Sequence, residues 1–229
     1  MNIAIILAAG SGTRVGMDLP KQFVSINGKM LLEYSIEQFQ LHPQIDEVAV
    51  VVSSAFMKQI NTLKDSGLYS KLKVVLQGGE ERYQSSLAAL KHYENHPNDV
   101  ILLHDAARPL ISQQLITEVL NTMKNHDAAA VAMPATDTIF YSIDNEMVNS
   151  IPDRKKVYYA QTPQAFRIKT LKDAFALGLQ DPQFAPTDDC SVVFKYLPEH
   201  KIAIVKGENL NRKITYQDDL QWLKVQLQK

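Results

Sequence analysis

Short apolar runs that alternate with amphipathic stretches constrain this chain more than any other feature. The runs are Ile3–Leu7, Val48–Val52, Lys73–Leu76, Val100–Leu103 and Ala129–Met133, with Ile202–Val205 as a later candidate. They are too short for helices and apolar at almost every position, the pattern of strands covered on both faces. Between them, Leu31–Phe39 sets Leu32, Ile36 and Phe39 on one helical face, and Arg82–Tyr93, Gln114–Met123 and Leu171–Leu179 behave similarly. Such alternation predicts βαβ units, right-handed crossovers and a mainly parallel twisted sheet flanked by helices, an α/β fold of Rossmann-like type.

The pattern breaks between Pro134 and Tyr159. TDTIFYSIDNEMVNSIPDRKKVYY reads as short alternating strands around Asp144-Asn145, a β-arm projecting from the rest. Two paired strands alone are marginal in water, so the arm is expected to pack on something, a second subunit in the first place. No repeat, low-complexity tract or Pro/Gly/Ser linker cuts the chain, which predicts one domain over 1–229 with the arm at about 134–159.

Composition excludes several classes. Lys and Arg number 24 against 25 Asp and Glu, without the basic excess that a duplex-binding protein presents to phosphates. A single cysteine, Cys190, permits neither an intrachain disulfide nor a Cys-based zinc site. No apolar run approaches the roughly 18 residues of a membrane span. The opening MNIAIILAAGSGTR, with no charge ahead of its short apolar run, reads as a strand rather than a signal peptide. No nucleic-acid partner, no membrane and a cytoplasmic location are expected.

The most specific local signal is LAAGSGTRVGMDLPKQF, Leu7 to Phe23, directly after the first strand. In open α/β sheets ligands bind beyond the carboxyl ends of the strands. Gly10, Gly12 and Gly16 let backbone N–H groups form an anion nest. The spacing G-x-G-x-x-x-G is one residue too long for the dinucleotide fingerprint, and the G-K-[ST] ending of a P-loop is missing. Two cations, Arg14 and Lys21, stand there instead. A triphosphate carries about four charges, against about two on a pyrophosphate, and cations aimed at it stabilise charge that shifts during reaction. The bland alternative, a glycine-rich turn with two solvated charges, leaves the coincidence of strand end, glycines and cations unexplained.

AAGSGTRVGMDLPKQ resembles the signature loop of sugar-phosphate nucleotidyltransferases, in particular the cytidylyltransferases that act on 2-C-methyl-D-erythritol 4-phosphate. The similarity continues through GGEERYQS (78–85), HDAARP (104–109), ATDTI (135–139), Asp153-Arg154, AQTPQAF (160–166), TDD (187–189) and NRKIT (211–215), in the family's order and across almost the whole chain. The resemblance implies a nucleotidyltransferase fold, and transfer of CMP from CTP to a polyol phosphate with Mg2+ and release of pyrophosphate. It also implies a homodimer in which the arm crosses to the partner. By position, Ala8, Ala9, Gly10, Gly12, Gly79, Glu80, Ser85 and Ala106 would bind CTP. Arg14, Lys21 and Lys213 would meet the reacting phosphates, and Arg154 with Thr138 would hold the acceptor's phosphate across the interface. The hydroxyl of Thr162, extended because it precedes Pro163, would contact the acceptor.

Other groups have structural readings of equal interest. Asp105 closes the run Val100–Leu103 beside the same crevice, where a carboxylate binds substrate hydroxyls or helps to hold Mg2+; otherwise it caps the helix starting near Ser112 or orders the turn before Pro109. Arg108 holds Asp105 or contacts substrate. Glu81 and Arg82 read as a helix start; TDDCSVV reads as another, with Thr187 or Asp188 as its cap and Asp188 and Asp189 as carboxylates suited to the dipole; His104 reads as packing or hydrogen bonding and Cys190 as a buried small apolar residue. Trp222, near Leu220 and Leu223, reads as C-terminal helix packing.

Some positions depart from the methylerythritol pattern: Ile151-Pro152 before Asp153-Arg154, Tyr158-Tyr159 where Trp is common, and Cys190 and Phe194 in TDDCSVVF. Related ribitol 5-phosphate cytidylyltransferases share the Ile-Pro and Tyr features but carry a longer stretch between Gly16 and Pro20. The expected acceptor is methylerythritol 4-phosphate, with ribitol 5-phosphate as the alternative. A non-catalytic nucleotide-binding module is the alternative of another class. A nicotinamide oxidoreductase would need an acidic residue closing the second strand, where Ser53-Ser54 stands.

Overall fold

The computed structural model describes residues 1–10 and 19–228. Its centre is a seven-stranded sheet made of β1 (Asn2–Ala8), β4 (Glu47–Val52), β5 (Leu72–Gln77), β6 (Val100–Asp105), β7 (Ala128–Pro134), β8 (Tyr158–Arg167) and β9 (Ile202–Lys206). The order is β5-β4-β1-β6-β8-β7-β9. All neighbours are parallel except β8, which runs against both β6 and β7.

Two apolar layers explain why the strands are apolar throughout. Ala4, Ile6 and Ala8 of β1, Val48 and Val50 of β4 and Leu102 of β6 face one side. There they meet Leu32 and Ile36 of α1 (Leu31–Leu41), Ile60 of α2 (Met57–Asp65) and Leu115 of α4 (Gln113–Thr122). The alternate residues, Ile3, Ile5, Ala49, Val51, Ile101 and Leu103, face the other side. Their partners are Ala89 of α3 (Arg82–His92), Phe175 of α5 (Ile168–Gly178) and Val192 of α6 (Asp189–Tyr196). A side-chain period of two puts every strand residue into one layer or the other. The expected mainly parallel sheet, flanked by helices, is the fold observed.

A third, smaller cluster joins distant parts of the chain. Ile26 of the short hairpin formed by β2 (Ser25–Ile26) and β3 (Lys29–Met30) packs with Leu31, Ile214, and Leu220 and Leu223 of α7 (Gln217–Gln226). The hairpin turns at Asn27-Gly28, both at positive φ, the signature of a two-residue turn. Trp222 packs beside this cluster.

Four elements depart from expectation. β8 is the longest strand, yet its Gln161, Thr162, Pro163 and Gln164 break any apolar run; the polar side chains are buried in hydrogen bonds instead. The hairpin and α2 are also additions. The arm, expected as paired strands, contains a single bridge between Tyr141 and Ser150. Its turn is where the sequence places it: Asn145 has φ 64° and the Asp144 carboxylate accepts from the N–H groups of Glu146 and Met147. Beyond the turn, with no cover for their side chains, the flanking segments do not form a ladder.

His104 is fully buried against the ring of Phe39. Its Nε2 lies 3.0 Å from the Arg108 carbonyl and its Nδ1 3.2 Å from the Thr162 hydroxyl, a neutral imidazole that donates at one nitrogen and accepts at the other. Burial lowers its pKa from 6.5 to about 4. Within that window the unfolded chain binds a proton that the folded chain refuses, so stability is full above pH 6.5 and falls as the pH drops towards 4, by on the order of 3 kcal/mol. Thermal unfolding from pH 7 to 4 should show this slope, and His104→Asn should flatten it.

Candidate active site

The sheet has its switch point between β1 and β6: from β1 the chain proceeds outward to β4 and β5, then returns to place β6 on the other side. A cleft of about 340 Å³ opens there, at the carboxyl ends of the two strands. Leu7, Ala8, Ala9 and Gly10 form one wall, Asp105, Ala106 and Ala107 the other. Gly79, Glu80 and Ser85 enter from the start of α3, and Lys21 and Lys213 from separate segments. Ten of the residues expected at the site, namely Ala8, Ala9, Gly10, Lys21, Gly79, Glu80, Ser85, Asp105, Ala106 and Lys213, are thus brought together. The expectations placed on Gly12, Arg14 and Gly16 lie outside the described residues.

Local chemistry sets each wall. Gln22, buried, donates from its amide to the carbonyls of Ala8 at 2.8 Å and Gly10 at 2.6 Å, fastening the end of β1 to the turn that carries Lys21. Phe23 stacks on Phe56 at 3.6 Å and anchors the same turn. A Cβ on Gly78 would lie 2.6 Å from the Cβ of Ala9 and 2.5 Å from the Ser85 hydroxyl, so only glycine lets α3 start this close to β1.

The electrostatics centre on Asp105. Lys213 Nζ donates to its Oδ2 at 2.7 Å and Arg82 Nε approaches its Oδ1 at 3.5 Å. Burial alone would raise the Asp105 pKa, but Lys213, Arg82 and Arg108 outweigh it and hold the carboxyl well below the usual range. Arg82 in turn donates from Nη1 to Asp189, which is wholly buried. Lys213, Asp105, Arg82 and Asp189 therefore form one line of alternating charge across the cleft wall. Arg82 is a site residue that sequence reasoning assigned to a helix start. The available signal was a cation in the first turn of a helix, where the dipole disfavours it and another partner is required. Glu81 is the N-cap of α3, and Asp188 caps α6 by accepting from Ser191 N–H, as expected of them.

Some expected roles need correction. The Thr162 hydroxyl points into the protein, accepting from Asp105 N–H at 3.0 Å and bonding His104, so it shapes the wall instead of meeting an acceptor. Arg108 does not line the cleft, but its charge acts on Asp105, one of the two roles expected of it; its guanidinium donates to the carbonyls of Asn211 at 2.8 Å and Ala160 at 3.2 Å, strapping β8 to the segment that carries Lys213. Both oxygens of Asp105 face cations, and among the described residues no group of three or more His, Cys, Asp or Glu side chains is placed to hold a metal. Nor does Asp105 cap α4, since Ser112 does so itself. Arg154 and Thr138 stand apart from the cleft on the arm, where Arg154 Nη1 donates to the Thr136 carbonyl at 3.2 Å and both residues are exposed.

A switch-point cleft closed by glycine-bearing backbone on one side and by cations on the other, in a mostly parallel sheet with one reversed strand, defines an α/β nucleotidyltransferase. Residues 2–229 match the family described as IspD: 2-C-methyl-D-erythritol 4-phosphate cytidylyltransferase, and the chain belongs to that family. It is 39% identical to the 2-C-methyl-D-erythritol 4-phosphate cytidylyltransferase of Thermobifida fusca (strain YX), over 95% of this chain and 89% of the relative. It is also 39% identical to the bifunctional ribulose 5-phosphate reductase/CDP-ribitol pyrophosphorylase Bcs1 of Haemophilus influenzae, over 96% of this chain but 46% of that longer one. The crystal structure of a 4-diphosphocytidyl-2C-methyl-D-erythritol synthase from Anaerococcus prevotii superimposes with a TM-score of 0.86 at 29% identity, covering 100% of this chain and 96% of that one. Among the described residues no helix is long and apolar enough to cross a membrane.

Arg82→Met should destabilise the fold by about 3–5 kcal/mol in urea unfolding, because Asp189 would be left charged and buried. Adding Asp189→Leu to that variant should restore most of the loss.

Proposed function

We propose that the protein transfers CMP from CTP to 2-C-methyl-D-erythritol 4-phosphate and releases pyrophosphate, a step of isoprenoid precursor synthesis. The observation that carries this reading is the convergence of Lys21 and Lys213 on a cleft whose other wall is the end of β1. The acceptor is a phosphate monoester with a second pKa of about 6, ionised at neutral pH. It needs no general base, which suits a cleft supplied with cations. The barrier is repulsion between anions and charge growing on the leaving pyrophosphate, and cations held in place lower it. Gly79, Glu80, Ser85 and Ala106 would frame the cytidine; Lys21 and Lys213, with Arg14, would meet the phosphates, Lys213 leaving Asp105 to do so. Asp105 remains a partner for substrate hydroxyls. Any Mg2+ would enter as counter-ion of the nucleotide.

The acceptor's phosphate is assigned to Arg154 and Thr138 of a second copy. The arm supports a dimer: Phe140, Ile143, Met147 and Ile151 are 62%, 75%, 67% and 61% exposed, large apolar side chains on one short segment of the kind that an interface covers. Replacing Ile143 and Ile151 by Asp should give a monomer in sedimentation that still binds CTP but loses acceptor-dependent turnover.

Ribitol 5-phosphate is the second reading, favoured by the likeness to Bcs1 and by Ile151-Pro152 and Tyr158-Tyr159 at the base of the arm. Pyrophosphate release from CTP, measured in parallel with the two acceptors, decides. Release with methylerythritol 4-phosphate supports the proposal. Release with ribitol 5-phosphate alone replaces it with CDP-ribitol supply. Lys213→Ala and Lys21→Ala should each lower turnover by roughly 10²–10³-fold with the fold intact; unchanged turnover would remove that residue from the mechanism.

A further inference from the structure

Lys213 sits on a stretch without helix or strand, between β9 and α7. A cation on an irregular segment is useful for catalysis only if the segment is held. One end is held well: Asn211, fully buried, donates its amide to the Thr162 carbonyl at 2.8 Å and to Gln161 at 3.2 Å. Ile214 N–H then donates to the Ala107 carbonyl at 2.8 Å, and its side chain fills the third apolar cluster.

The other end is held by one carboxylate. Asp219 Oδ2 accepts from Thr215 N–H at 2.7 Å and Tyr216 N–H at 2.8 Å, and Oδ1 pairs with Arg212 at 2.5 Å. Asp219 is only 3% exposed. Burial raises its pKa, but the two N–H groups, Arg212 and Lys21 together lower it, so it stays ionised. Residues on both sides of Lys213 thus bond to the same side chain, and the charge of Lys21 also acts on it. We propose that Asp219 is a positioning residue for the phosphate-binding cations: by gathering the Arg212, Thr215 and Tyr216 contacts on one carboxylate, it fixes the reach of Lys213 into the cleft. The inference rests on the cytidylyltransferase reading above.

A plain helix cap would make some of the same contacts, since Asp219 is the third residue of α7 and bonds the N–H of its N-cap residue Tyr216. The two roles respond oppositely to one added methylene. Glu is the favoured residue at that position of a capping box, so Asp219→Glu keeps the cap. It also displaces the acceptor oxygens, and a shift of about 1 Å in a group that aligns reactants costs up to about 10²-fold in rate. The experiment is steady-state pyrophosphate release at saturating acceptor, with thermal unfolding in parallel, for the full chain and three variants. Asp219→Glu should lower kcat at least about tenfold, with the CTP KM within about threefold and Tm nearly unchanged. Asp219→Asn, which keeps one oxygen for the N–H groups of Thr215 and Tyr216 but loses the pair with Arg212, should lose part of kcat, less than Asp219→Ala. Asp219→Ala, read at a temperature where it is folded, should lose at least as much kcat as the Glu variant. A kcat within twofold of the wild type for folded Asp219→Glu or Asp219→Ala would overturn the proposal and leave Asp219 a cap. A wild-type chain that releases no pyrophosphate with either acceptor would instead overturn the cytidylyltransferase reading itself.

Discussion

Covering both faces of the central strands dictates much else in this molecule. β1, β4 and β6 give every apolar side chain along their length to one apolar layer or the other, so polar chemistry is driven to the strand ends. At those ends the backbone is free to bond a ligand, and the sheet has one place where the connections part in opposite directions. Ala8 to Gly10 and Asp105 to Ala107 meet there. The cleft follows from the connectivity of the sheet before any particular side chain is considered.

Charge within that cleft is arranged in advance. A buried carboxylate with no partner would be costly, and a lone cation would be drawn to any anion nearby. Alternating Lys213, Asp105, Arg82 and Asp189 avoids both, and Arg82 keeps Asp105 paired if Lys213 turns away. The segment that carries Lys213 is fastened from two directions, by Arg108 and Asn211 to β8 and by Asp219 to α7. Buried polar groups that lie outside the cleft thus determine what the cleft contains.

The apolar strands and the amphipathic helices were legible because burial on two faces writes a continuous run, and burial on one face a helical period. β8 was not legible as a strand. Gln161, Thr162 and Gln164 satisfy their amides and hydroxyl inside the protein, so its polar letters imitate a loop. The same cause hid the work of Arg108 and Thr162: the residues were noticed, but whether a polar side chain points at a ligand or at a carbonyl depends on contacts from far along the chain. The role of Arg82 is hidden for the converse reason. Its position at a helix start has a sufficient local explanation, and its partners Asp105 and Asp189 are 23 and 107 residues away.

The reversed strand has a further consequence. Because β8 runs against β6 and β7, Tyr158 at its start pairs with Pro134 at the end of β7, on the same rim as Asp105. Everything between those two residues is an excursion that leaves the sheet and returns to it at adjacent points. Such an excursion can be lengthened, rewritten or re-aimed while the β-strands on either side keep their register. On the proposed reading the nucleotide is handled by the sheet and the acceptor by the excursion. The identity of the second substrate is then a property that this topology allows to drift independently of the first.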